Sequence, residues 1–402
     1  MGIEVASTAR SQQEDKRSAE SRRALNTFHP SFNVDRTLGC DLFQQDEQQT
    51  MNPLYSVSVY GGLEKIARDE IQTRLNDKGK VQIVAQKPKR ILLRYSGGVR
   101  DLFSLRSVEH VFLVVRRFSN ITRSRQTLTT MRKSLGQLDF RPHFALCQSA
   151  GLRLRKQVTF RVTSHLSGQR NFRRIDLQRA VEQGLTTYGW RRTDNNPALD
   201  VWVEVHGDDA YISIRLSPLN MAQRDYKQAH IPTSLKPTIA YSLVQLSDPQ
   251  PDDIFLDAMC GAGTILIERA YSGRYRYLIG GDISTEALHA AQTNIGRKHR
   301  PRQLFRWDAQ QLPLADWSVD KIVCSPPFAE QRDDKFVNRT LYRQFLIECE
   351  RVLKPTGRMV LFTTHGLGFE NLLKQRRSFQ IMQKLKINLR GQNPWIYLCL
   401  PH

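Results

Sequence analysis

The sequence predicts an α/β protein in which a doubly wound parallel sheet follows two smaller α+β modules. Three observations predict it. From about residue 236 to the end, short apolar strands alternate with helical stretches. Upstream, strands read as alternating, half-buried segments broken at Gly-rich turns. The charge is also uneven: residues 1–50 hold 6 basic and 8 acidic side chains, 51–235 hold 31 and 15, and 236–402 hold 23 and 16, within a net +21.

In order along the chain, residues 1–50 are polar, rich in Gln, Ser and Arg, and without a sustained period. A mostly disordered tail is expected there, and Met51, which opens the first structured stretch, is a candidate translation start. Tyr55, Val57 and Val59 alternate as a strand, Gly61-Gly62 breaks it, and Leu63, Ile66, Ala67 and Ile71 follow helical spacing. With strands at Lys89–Tyr95 and Val111–Arg117, residues 53–118 read as one α+β module. Residues 119–217 read as a second module. It begins with a largely helical stretch to about 150 and continues with a strand at Val158–Thr163 and a helix bearing Leu177, Val181, Leu185 and Tyr188. Two strands joined by Gly207-Asp208-Asp209 close it. A linker covers 218–235. In 236–402 the strands are Ile254–Leu256, Tyr277–Gly280, Leu304–Arg306, Lys321–Cys324 and Arg358–Thr363, with Trp395–Leu400 as a last strand at the sheet's end.

Several classes are excluded. A hydrophobic fraction of 40% is enough to build cores, which argues against a disordered protein. No apolar run approaches the roughly 20 residues needed to cross a bilayer. The N-terminal stretch lacks the apolar centre of a signal peptide. Six scattered cysteines form no CxxC pair, which argues against a zinc module or disulfide framework and fits a cytoplasmic location. The cationic middle fits a polyanion, and nucleic acid suits it better than a membrane surface, for which no amphipathic or lipidation signal is present. Arg161, Arg170, Arg173 and Arg174 are the candidate RNA contacts.

The chemistry concentrates at strand ends. The first strand of the parallel sheet runs into Asp257-Ala-Met-Cys-Gly261-Ala-Gly263-Thr264. Its glycines permit a tight turn and a close ligand approach. Leu266 stands where a dinucleotide fingerprint needs a third glycine, and the lysine of a P-loop is missing. The next two strands end at Asp282 and Asp308, at spacings that place all three acids on the C-terminal edge of successive strands. An acid after the second strand suits a pair of ribose hydroxyls, and one after the third suits an adenine amine. The alternative is that each caps a following helix. The fourth strand ends in Ser325-Pro326-Pro327-Phe328, a stiff turn with fixed carbonyls and an aromatic face. The alternative there is a rigid surface turn. Thr264 and Ala309, beside these residues, complete the candidate cofactor set. His230 and His365 near the edges of the site are assigned solvated or packed roles.

These residues resemble class I S-adenosylmethionine methyltransferases, whose Asp-rich first motif is joined by an (N/D/S)PP(Y/F) amine-methylating motif. Phe160-Arg-Val-Thr, Phe172-Arg-Arg-Ile-Asp-Leu and Val201–Leu216 resemble a THUMP domain preceded by a ferredoxin-like module. Arg224-Asp-Tyr-Lys and Leu235-Lys-Pro-Thr-Ile-Ala240 resemble the segment leading into such catalytic domains. The resemblance covers about 53–402 in the order of THUMP-containing tRNA guanine-N2-methyltransferases. It implies a Rossmann-like class I methyltransferase sheet preceded by ferredoxin-like and THUMP domains. It implies further that Asp257, Gly261 and Gly263 line the methionine part of the cofactor, that Asp282 holds its ribose and Asp308 its adenine. The implied reaction is methyl transfer from S-adenosylmethionine to the exocyclic N2 of a guanine in tRNA, with no metal. Ser325 and Ala329 depart from the family's usual Asn or Asp and Gly. That leaves open methylation of guanine N2 or adenine N6 in rRNA, or an RNA-binding homologue with weak turnover. Oligomeric state is not legible.

Overall fold

The computed structural model describes residues 52–232, 234–327, 334–364, 366–389 and 393–402. The expected tail, Met51, Phe328 and His365 lie outside the described residues.

The first half builds one sheet. Its elements are β1 Leu54–Ser58, α1 Glu64–Leu75, β2 Val81–Lys87, β3 Arg90–Tyr95, β4 His110–Phe118, α2 Gln126–Gly136, α3 Arg141–Ser149, β5 Thr159–Leu166, α4 Arg174–Thr186, β6 Arg191–Arg192, β7 Leu199–His206 and β8 Asp209–Arg215. The eight strands lie in the order β2-β3-β1-β4-β8-β7-β5-β6. Strands from both stretches, 53–118 and 119–217, therefore share a sheet, joined where β4 pairs antiparallel with β8. The cause is visible in β4, whose run Val111-Phe-Leu-Val-Val115 is buried on both faces and needs a neighbour on each side. A single hydrophobic cluster runs from Tyr55 to Met221 beneath the helices.

The second half is the doubly wound sheet. It comprises α5 Pro237–Leu246, β9 Ile254–Asp257, α6 Thr264–Tyr271, β10 Tyr277–Asp282, α7 Thr285–Ile295, β11 Arg302–Arg306, β12 Val319–Cys324, α8 Asp334–Val352, β13 Leu353–Thr363, α9 Gly366–Arg376, β14 Phe379–Lys386 and β15 Trp395–Pro401. The strand order is β11-β10-β9-β12-β13-β15-β14. β9 to β13 run parallel, whereas β15 is antiparallel to both its neighbours. The expectation that Trp395–Leu400 closes the sheet is thus corrected: the last strand inserts between β13 and β14. Its burial on both faces requires that central place, while β14, with the pattern Beieieie, tolerates the edge. Apolar residues of α5, α6 and α7 cover one face and those of α8 and α9 the other.

The two halves meet around a buried carboxylate. Glu268, on α6, has a side chain with no exposure. It accepts from Arg106 Nε at 2.6 Å and Nη2 at 2.9 Å, and from the Tyr226 hydroxyl at 2.7 Å. Arg224 Nε stands 3.6 Å away, and its Nη2 donates to the Arg106 carbonyl at 2.7 Å. Arg106 comes from the first half, Arg224 and Tyr226 from the linker. Burial and the Glu268 charge together push the Tyr226 hydroxyl far above its usual range. Glu268→Ala would strand two buried guanidinium groups. A loss of about 3–5 kcal/mol in unfolding free energy is expected, as for one partner removed from a buried pair. Denaturant titration checks it, and a loss below about 1 kcal/mol would remove Glu268 as the keystone of this seam.

Candidate active site

The four parallel strands β11, β10, β9 and β12 are neighbours, so their C-terminal ends form one continuous edge. Asp308 follows β11, Asp282 ends β10, Asp257 ends β9 and Ser325 follows β12. Registers keep them level: Asp257 pairs with Gly280, two residues before Asp282, and Leu256 pairs with Ile322 of β12. The order of connections reverses between β9 and β12, the point at which open α/β sheets leave a crevice for ligands. The sites expected from spacing alone are brought together.

The glycine loop lies across this edge. Gly261 and Gly263 have φ of 51° and 77°, which L side chains rarely adopt. A Cβ on Gly263 would stand 3.1 Å from Ala291 on α7, so the position also serves helix packing. Gly263 caps α6, whose first residue is the buried Thr264. The amides of that first turn lack intrahelical acceptors and favour negative charge. Asp282 ties the loop down: one oxygen accepts from Gly261 N at 2.9 Å and the other from Ser284 N at 3.0 Å. Ser284 itself caps α7 through Ala287 N at 3.2 Å. Asp308 is exposed and accepts from Gln310 N at 2.9 Å, while Ala309 beside it is buried. Local capping is therefore present at both acids. It uses only part of a carboxylate's accepting capacity.

Asp257 differs. It is 1% exposed, and neither oxygen meets a donor in hydrogen-bonding geometry. Burial drives its pKa up to about 8; the charge of Asp282 adds to this, and the nearby Cys324 thiol and Met259 amide offset it only in part. Ser325 is half-buried, Pro326 is buried and Pro327 exposed. Phe328 lies outside the described residues.

Four residues that sequence reasoning passed over belong to this edge. Ile283, between Asp282 and Ser284, is 65% exposed, an apolar face beside a carboxylate. Trp307 donates from Nε1 to the Ala258 carbonyl at 2.9 Å and fills the space over Gly281, where a Cβ would fall 1.9 Å from the indole. Asn294 on α7 donates to the Ala262 carbonyl at 3.0 Å and exchanges bonds of 2.8 and 2.9 Å with Ala229. It thereby holds the linker beside the glycine loop, where Ile231 would stand 3.4 Å from a Cβ on Gly261. Only the adjacency of Ile283 and Trp307 to the acids was visible in sequence. His230, on the same linker, is exposed.

The RNA-contact candidates divide. Arg173 and Arg174 are exposed at the start of α4, near Arg125, which donates to the Asn171 carbonyl at 3.3 Å. Arg161 donates to Asp200 at 3.1 Å, and Arg170 is bonded to the Gly207 carbonyl. Among the described residues no group of three or more His, Cys, Asp or Glu could hold a metal, and no helix is long and apolar enough to cross a membrane.

An open parallel sheet with one reversed strand inserted near its end, and acids aligned at the switch point, defines a class I methyltransferase fold. Comparison with known proteins agrees. Residues 224–393 match the UPF0020 family model, an RMKL-like methyltransferase domain. The mouse (Mus musculus) tRNA (guanine(6)-N(2))-methyltransferase THUMP3 is 30% identical over 256 residues, 60% of this chain and 50% of that one. The tRNA (guanine(6)-N2)-methyltransferase of Thermus thermophilus is 30% identical over 208 residues, 51% of this chain and 62% of that one. The crystal structure of TrmN from Thermus thermophilus superposes with a TM-score of 0.72 at 23% identity, covering 87% of this chain and 99% of the other. The second half of the chain is thus similar to RMKL-like methyltransferase domains, and the chain shares the fold of class I methyltransferases. It spans about half the length of the mouse, bovine and human relatives it matches.

The Asp257 environment has a pH consequence. Its folded pKa, about 8, lies above the unfolded value of about 3.9. Between these values the folded state holds more protons, so this group's contribution to stability is present at low pH and is lost as pH rises towards 8. Melting temperatures of wild type and Asp257→Asn across that window should converge at acid pH and diverge at alkaline pH, with the variant the more stable there. Parallel curves would place the titration elsewhere.

Proposed function

We propose that the protein transfers a methyl group from S-adenosylmethionine to the exocyclic N2 of a guanine in tRNA. The observation that carries this reading is the alignment of Asp257, Asp282, Asp308 and Ser325 along one sheet edge at the switch point. The activities in the names of the mouse and Thermus relatives support the choice of base and RNA.

The residues present suit a sulfonium nucleoside. The left-handed glycines leave the loop without side chains, and Asp282 retains lone pairs for ribose hydroxyls beyond its two backbone bonds. Ile283 offers an apolar face for a purine, and Asp308 an acceptor for its amine. Asp257, buried without a partner, would be returned to its charged form by a cation bound nearby. The cofactor supplies an electrophilic methyl on a sulfonium leaving group. What the chain contributes is position. The Ser325 hydroxyl and the Pro326 carbonyl would accept hydrogen bonds from the guanine amine and orient its weakly nucleophilic lone pair, and Phe328 would stack on the base. The exposed Arg173 and Arg174 would bind phosphates of the folded RNA, with shape rather than sequence setting recognition. A cytoplasmic site of action follows from a tRNA substrate.

Ser325 favours one second reading. A hydroxyl grips an amine less firmly than an amide or carboxylate, so an RNA-binding homologue with weak turnover is the alternative. A labelled-methyl assay on bulk tRNA separates the two, followed by nucleoside mass spectrometry to map the product. N2-methylguanosine is expected; N6-methyladenosine, or product only in rRNA, would overturn the substrate. Asp282→Ala should abolish cofactor binding in calorimetry while the circular dichroism spectrum stays native, and unchanged affinity would be fatal to the pocket.

A further inference from the structure

We propose that the methyltransferase half carries its own docking surface for the phosphodiester backbone of RNA. It lies at the N-terminal edge of β10 and β11, where the segments leading into the two strands carry Arg274, Arg276, Arg297, Lys298, Arg300 and Arg302, beside His299 and the exposed ring of Tyr271 that packs on it. The proposal rests on RNA being the substrate, and it places contacts on the sheet edge opposite the catalytic one, on residues distinct from Arg173 and Arg174.

Topology assembles the surface. β10 and β11 are parallel, with Leu278 opposite Arg302, so the segments leading into them lie side by side. Leu278 N donates to the Pro301 carbonyl at 3.2 Å, which fixes that contact. α6 ends at Tyr271 and α7 at Ile295, so both helices deliver their following residues to this edge.

Charge makes it distinctive. From 272 to 306 the only acids are Asp282 and Glu286, and both sit at the catalytic end of the strands. Five of the six cations are exposed and Arg302 is half-buried. Among the described residues none of the six is in an ion pair, although Arg302 donates to the His299 and Gly296 carbonyls at 2.9 and 2.6 Å. Of the carboxylates nearby, Asp248 pairs with Arg358 at 3.1 Å, Asp253 with Arg269 at 3.5 Å and Asp320 with Lys354 at 2.7 Å, which leaves the exposed Asp252 as a single acid against six cations. The cations also press on one another. Burial, then the charges of Arg302, Lys298 and Arg106, hold the His299 imidazolium below its usual range. Such crowding is unfavourable in the free protein and is relieved by a polyanion, with release of its counterions.

The aromatic content points to nucleic acid rather than to an acidic protein face. Tyr271 is 42% exposed, its ring 4.8 Å from His299 and 6.1 Å from Tyr226, with the Arg106 guanidinium 4.2 Å above it. An exposed ring on a cationic surface is a stacking platform for a base. Arg106 comes from the first half, so the surface begins at the seam and extends over the methyltransferase sheet.

The test compares the wild type with Arg297→Gln/Lys298→Gln/Arg300→Gln and with Tyr271→Ala, using fluorescence anisotropy with a tRNA transcript at several salt concentrations. The triple variant should bind at least tenfold more weakly near 0.1 M salt, with a salt slope lower by about 2–3, as expected for roughly three lost phosphate contacts. Tyr271→Ala should lower affinity with the slope unchanged. Cofactor affinity by calorimetry should match wild type in both, which separates docking from misfolding. Wild-type affinity and slope in the triple variant would overturn the surface while leaving the methyl-transfer reading intact. A wild type that binds no RNA would overturn both. Stronger binding of polyglutamate than of RNA of equal charge would assign the surface to an acidic protein and overturn it as well.

Discussion

Helix α6 carries two duties, one at its first turn and one at its middle. Its first turn stands behind Gly263, at the C-terminal rim of the parallel sheet; its fifth residue, Glu268, is the buried carboxylate on which Arg106, Arg224 and Tyr226 converge. A charge with no exposure is tolerable only when every neighbour is fixed around it. The same condition that lets Glu268 exist therefore fixes the first half and the linker relative to α6. Glu70 extends the effect. It is buried on α1 and accepts from Arg106 N and Ser107 N at 2.8 Å each, while Arg74 pairs with it at 3.0 Å. The loop bearing Arg106 is thus held from both sides. The eight-stranded sheet and the parallel sheet are placed in one frame by carboxylates at their seam.

The linker has little freedom within that frame. Arg224 anchors one part to the Arg106 carbonyl, Asn294 clamps Ala229 by two hydrogen bonds, and Lys227 Nζ donates to the Leu235 carbonyl at 3.0 Å. Burial and the charge of Lys236 lower the Lys227 pKa to about 8, the cost of using an ammonium as a fastener. A segment that reads as a connection in sequence acts as a strap, and Asn294 joins it to the Ala262 carbonyl of the glycine loop.

How much of this could be read from residues alone follows from the physics of each part. Strand ends in a parallel sheet are legible because β-α repeats space them evenly, so Asp257, Asp282, Asp308 and Ser325 fell into place without coordinates. β2 was missed because its pattern ieieiei leaves one face open, and β14 for the same reason. The insertion of β15 between β13 and β14 was hidden because order within a sheet depends on pairing partners distant in sequence. Residues 53–118 and 119–217 read as separate modules in sequence because nothing local announces that β4 pairs with β8. Asp257 illustrates a subtler limit. Its motif marked it as part of the site, but only the structure gives its burial and its missing partners. That buried, unpartnered state lifts its pKa and separates it from the solvated Asp308.

The excess of positive charge acquires meaning by the same distinction. A net +21 says only that anions are attracted; it does not say by which residues. Arg269 is fully buried, spending its donors on Gln250, Gly273 and Arg274 carbonyls and on Asp253. Arg351 is committed to Glu348, Asp316 and two carbonyls, and Arg215 to Asp200. Arg161 and Arg170, which looked in sequence like RNA contacts, are likewise occupied within the fold. Subtracting such cations leaves the exposed ones at the start of α4 and at the lower edge of β10 and β11. Among these, Arg173 still pairs with Asp176 at 3.5 Å and Arg302 donates to the His299 and Gly296 carbonyls, whereas Arg274, Arg276, Arg297, Lys298 and Arg300 meet a phosphate without first giving up an ion pair, which makes location and commitment, rather than number, the basis of polyanion affinity.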